Sequence, residues 1–140
     1  MHIEGQARET TGICKTCAVG RESTELEVYC VEKEQIKNQL VIASNNQAFV
    51  GVASHVIAGI SGLWSKVASG RHLAIALEAV ELSLGTCWIG AFNEDGVKKI
   101  LKIPQDKKVV ALLTVGFPAE SPASKPRKAL EEIVAYNEYT

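Results

Sequence analysis

Two short runs carry the side chains of this sequence best suited to chemistry: Gly85-Thr86-Cys87-Trp88-Ile89-Gly90-Ala91-Phe92 and, further on, Lys125-Pro126-Arg127. An indole such as Trp88 can lie against a planar ring. Gly90 has no Cβ and lets another molecule approach its backbone. Lys125 offers an anion a point charge, and Arg127 offers a bidentate fork. Taken one at a time these are ordinary residues, since an indole at a helix–strand junction is usually core and cations after prolines are usually solvated. Cys14-Lys15-Thr16-Cys17 has the spacing of zinc and thioredoxin-like sites, but no second pair or neighbouring histidine follows it, so reduced thiols are expected. Cys30 lies in a strand pattern and Cys87 in an apolar turn, which makes both small core residues. His2, His55 and His72 have no partner in spacing and read as structural or exposed, with no metal expected. No Ser-His-Asp or paired-carboxylate constellation is present, so no catalytic side chain is assigned.

The elements that must position these residues follow from patterning. Leu26, Val28 and Cys30 with Tyr29 and Val31 give a short β-rich run, and a helix starts at Lys33 with Ile36, Leu40 and Ile42-Ala43 on one face. Asn45-Asn46 stops it. Ala53 to Ile60 reads as a buried strand. From Arg71 to Leu84 a helix is apolar over most of its circumference and needs cover on most sides, with Gly85 as its stop. Asn93 caps a short helix whose Val97, Ile100 and Leu101 face inward, and Pro104 ends that segment. Val109 to Val115 is apolar without alternation, as in a central strand covered on both faces. Pro118 to Pro126 holds three prolines in nine residues and is extended, and Leu130, Ile133, Val134 and Tyr136 form a last apolar strip. Trp64 is a packing residue near a bend. The mixture is α+β without internal repeats.

Length and charge narrow the class. The chain has 140 residues, 46% of them hydrophobic, enough for one domain with a real core and near the size at which a second copy adds much burial. A net charge of -1 speaks against a nucleic-acid partner. Phe49 to Trp64 is too short and too polar to span a bilayer, and Met1 to Gly20 lacks a signal-peptide core, so a cytoplasmic protein without a membrane partner is expected.

From Leu84 through Lys128 the order of elements is a buried helix, Gly-Thr-Cys-Trp-Ile-Gly, a short helix, an Ile-Pro turn, a Val-Val-Ala-Leu-Leu strand and a Lys-Pro-Arg-Lys tail. This order resembles the nitroreductase family of FMN-dependent oxidoreductases, with a weaker match from Leu26 to Ile60. The resemblance implies a nitroreductase-like, mainly antiparallel mixed sheet flanked by helices, incomplete at the N-terminus, in a homodimer. It also implies FMN, lost or weakly bound, and hydride transfer from NAD(P)H to a nitroaromatic, quinone or similar acceptor. Trp88 matches the residue that packs on the flavin ring, Ile89, Gly90 and Ala91 the backbone at the ring edge, and Lys125 and Arg127 the phosphate cations. The cofactor carries the chemistry, so a side-chain acid or base is not required.

The family's opening Arg-Ser-x-Arg helix and its Ala-Pro-Ser-Ala-Gly-Asn segment are missing. Residues 1–25 form instead an atypical arm, followed by a partial nitroreductase-like domain at 26–140. Codons exist for Cys14 to Thr24 that, read one base later, encode Ala-Pro-Ser-Ala-Gly-Asn, which suggests that the arm is out-of-frame translation. The alternative function is therefore a truncated, cofactor-free dimeric relative without catalysis.

Overall fold

A computed structural model describes residues 26–62 and 68–137. Readings that concern residues 1–25 with Cys14, Cys17 and His2, Trp64, the side chain of His72, and residues 138–140 lie outside the described residues. The described elements in chain order are β1 (Leu26–Val31), α1 (Glu34–Ala43), α2 (Phe49–Val52), β2 (His55–Gly62), α3 (Ala68–Glu81), β3 (Gly85–Ile89), α4 (Glu94–Leu101), β4 (Lys107–Gly116) and a 3-10 turn at Leu130–Glu132.

The four strands form one antiparallel sheet in the order β1-β2-β4-β3. Side chains alternate across it and feed two apolar layers. On one face Val31, Val56, Ala58, Ile60, Leu112 and Ile89 pack with Leu40 and Ala43 of α1, Val50 of α2 and Val97 of α4. On the other, Ile57, Leu113 and Val115 pack with Ile75 and Ala79 of α3. The continuous apolar run of β4 is thereby explained, because a central strand has no solvent face. Its pairing with β2 skips a residue: Gly59 faces Ala111 while Ile60 faces Val109, which leaves Val110 as a bulge. The extra residue reverses the alternation, so Val109 joins the α1 layer beside Leu112.

Local signals set most boundaries. The carboxylate of Glu34 sits in the first turn of α1, where the helix dipole favours it. Asn45 and Asn46 take left-handed backbone at φ 54° and 58°, a conformation asparagine tolerates well, and α1 stops there. Asn93 caps α4 by accepting a 3.0 Å hydrogen bond from the Gly96 N–H.

Two expectations require correction. Helix α3 is ended by Ser83, at φ 58°, with the Leu84 N–H donating back to the Ala79 carbonyl at 2.8 Å, and not by Gly85. Gly85 is instead drawn into β3 opposite Gly116. Cys87 is not in a turn or the core: it belongs to β3, an edge strand, and is exposed. The apolar strip near the C-terminus, for which the sequence sets no packing partner, has Leu130, Ile133, Val134 and Tyr136 all exposed. The short helix α2 was not expected at all, and its four residues are too few to show a period.

Candidate active site

The candidate site is built around the far end of β3. Trp88 pairs with Leu113 of β4, so its indole projects from the α3 face of the sheet, and it remains 45% exposed because no strand lies beyond β3 in the described sheet. Ile89, one residue on, points the opposite way and is buried in the α1 layer at 2% exposure, where it anchors the strand. The chain then turns. The Ala91 carbonyl accepts hydrogen bonds from the side chains of Asn45 (3.2 Å) and Gln47 (3.4 Å), and the Asn93 N–H donates to the Ala43 carbonyl at 2.7 Å. The loop after α1 thus clamps the Ala91–Phe92 peptide, just past Gly90, in place. A Cβ added at Gly90 would meet nothing within 4 Å, so that side of the backbone is open.

Among the described residues the tail cations make no hydrogen bond or ion pair with this corner. The tail leaves β4 beside Gly85, with Pro118 against it, at the end of β3 away from Gly90. Lys125 and Arg127 lie beyond in an extended, exposed stretch, and neither makes a side-chain hydrogen bond or ion pair among the described residues. A groove of about 660 Å³ lies between α2, β3 and the start of the tail, lined by Phe49, Cys87, Thr114, Phe117 and their neighbours, and it includes none of the expected site residues.

At the opposite edge of the sheet the fold assembles a group of side chains that spacing along the chain does not announce. His55 is buried, and its Nε2 lies 3.4 Å from Glu32 Oε1. Burial lowers the imidazole below its ordinary 6.5, an effect that the neighbouring Glu32 carboxylate partly offsets and Lys37 reinforces. The Lys37 ammonium is itself spent on the Ala53 and Ser54 carbonyls at 2.6 and 3.3 Å. Only the pairing of β1 with β2 places Glu32 beside His55, which is why a reading by sequence interval missed it.

Comparison with known proteins agrees with this architecture. Residues 74–117, which contain most of α3, the Trp88–Ala91 corner and β4, match the model of the nitroreductase family. The oxygen-insensitive NADPH nitroreductase of Salmonella typhimurium is 28% identical over 120 residues, covering 84% of this chain and 46% of that protein. Among solved structures, the Vibrio harveyi NADPH:FMN oxidoreductase complexed with NAD+ superposes with a TM-score of 0.81 at 20% identity, over 95% of this chain and 69% of that one. An FMN-dependent nitroreductase from Clostridium difficile gives 0.80 at 20% identity, over 94% and 88%. The fold is nitroreductase-like, and residues 74–117 carry the match to the nitroreductase family. It spans less than half the length of the curated relatives it matches. No described helix is long and apolar enough to cross a membrane.

Proposed function

We propose that the chain is a flavin-dependent oxidoreductase of nitroreductase type that binds FMN and moves hydride from NAD(P)H to a nitroaromatic, quinone or similar acceptor. The observation that carries this reading is the turn at Gly90 and Ala91, whose Ala91 carbonyl is held by Asn45 and Gln47 and whose backbone is open at Gly90, next to a half-exposed indole. Such an edge needs no reorganisation to receive a flat ring, and a site fixed in advance loses less entropy on binding.

These residues suit FMN chemically. Trp88 would lie on the ring, the Ile89–Ala91 backbone would follow its edge, and Lys125 and Arg127 would hold the phosphate. When bound, the flavin supplies the hydride chemistry. The chain's own residues orient it and keep water from one face.

A homodimer belongs to the same reading. Helix α3 seats Ile75 and Ala79 on the sheet and leaves Leu73, Leu77 and Val80 outward at 59%, 64% and 69% exposure. These three recur at helical spacing and form one stripe, opposite the seated residues. A second copy covers such a stripe without a new partner.

The test is an absorbance spectrum of the purified chain after incubation with excess FMN and removal of the unbound fraction. Retained flavin absorbance is expected. Arg127→Ala should then weaken FMN binding about 10- to 150-fold in low salt, the equivalent of one charge-assisted contact of roughly 1.5–3 kcal/mol. Lys99→Ala on exposed α4 should have little effect. Colourless protein would leave the cofactor-free dimer as the better reading.

A further inference from the structure

We propose that Cys30, Glu32 and His55 form a three-ligand site for a borderline-soft divalent cation of the zinc class, separate from the flavin corner. The three donor atoms lie within 4.8 Å of one another. Cys30 and Glu32 are two residues apart on and just past β1, so strand alternation puts them on one face. Val31 pairs with Val56, so Glu32 falls opposite His55 and Cys30 opposite Ile57. All three therefore meet at the β1 edge, on the face that α3 covers.

The donor types select the ion. Thiolate, imidazole and carboxylate together suit zinc, whereas magnesium and calcium ask for oxygen alone. Ligand atoms on a tetrahedral zinc stand about 3.4–3.6 Å apart, given its usual bond lengths. His55 Nε2 and Glu32 Oε1 already stand at 3.4 Å. The remaining separations are no more than 4.8 Å, and Glu32 is exposed.

His55 is buried, so its Nε2 is held in place beside Glu32. Glu32 is exposed beyond the end of β1, an edge strand, which gives an ion access from solvent. Binding deprotonates the Cys30 thiol, and the proton passes to water. Three protein ligands leave a fourth position for water or another small donor, the pattern of an open rather than a closed zinc site.

Cobalt(II) is the probe, added to the chelator-treated full chain carrying Cys14→Ser, Cys17→Ser and Cys87→Ser, so that Cys30 is the sole thiol. One equivalent should bind with thiolate-to-cobalt charge-transfer absorbance, and zinc should displace it. Glu32→Gln, a change at an exposed position, should weaken cobalt at least tenfold, since even residues outside the ligand shell cost that much when removed. Cys30→Ser should abolish the band. Thermal unfolding of each metal-free variant confirms that it is folded. No band in the parent, or a band and affinity that Glu32→Gln leaves unchanged, overturns the proposal. Neither result depends on whether FMN binds.

Discussion

Substituting Leu77 by lysine should separate the protomers while leaving each one folded. Leu77 is 64% exposed on α3, between Leu73 and Val80 of the same outward stripe. Fully burying a leucine side chain is worth about 1.5–3 kcal/mol, so covering the exposed part of Leu77 contributes about 1–2 kcal/mol. A twofold interface uses the residue once from each copy, which doubles this to about 2–4 kcal/mol, or roughly 30- to 1,000-fold in the dimer dissociation constant. A lysine that has to be desolvated there adds to the penalty, so these figures are a lower bound. The helix itself should be indifferent, because lysine and leucine have similar helix propensities and the introduced ammonium would stand one turn from the carboxylate of Glu81. Sedimentation velocity over a concentration series reads the association constant, and circular dichroism reads the fold. A parent that stays monomeric at concentrations of tens of micromolar would refute the argument, as would a variant that associates equally well, because the stripe would then have no role in pairing.

Further outcomes follow from the contacts that hold the site's scaffold. Asn93→Ala removes the α4 cap and should cost about 1 kcal/mol in urea unfolding, with no change in the dependence on denaturant concentration. Burial of Glu94 raises its carboxyl, but hydrogen bonds from Lys98 and from the Val109 N–H, with the charges of Lys98 and Lys108, more than reverse this and hold it below the ordinary 4.5. The unfolded chain therefore takes up this proton first as pH falls. The stability Glu94 contributes should be complete above pH 4.5 and disappear as pH drops through its lowered folded value. Glu94→Gln keeps an acceptor for Val109 and loses the charge, so the gap between parent and variant in unfolding midpoint should be open at neutral pH and closed in acid. A gap that is constant with pH would remove the carboxylate from the account.

Local rules were enough for much of the fold. A strand of β-branched residues from Leu26, an α1 stopped by two left-handed asparagines, an asparagine cap on α4 and a doubly covered β4 are all decided by neighbours within a few residues, through caps, dihedrals and periodicity. Of the residues the resemblance singles out, Trp88 to Ala91 fall inside the span 74–117 that matches that family's model, and Lys125 and Arg127 fall outside it. What tertiary structure decided concerns groups far apart in sequence. Ser83 ends α3 while Gly85 pairs with Gly116 of β4, and the bulge at Val110 exchanged the faces of β4 through its register with β2. The clamp of Asn45 and Gln47 on Ala91 spans more than forty residues. Cys30, Glu32 and His55 converge only when β1 lies against β2. Register and packing depend on long-range closure, and no window along the chain contains both partners of such a contact.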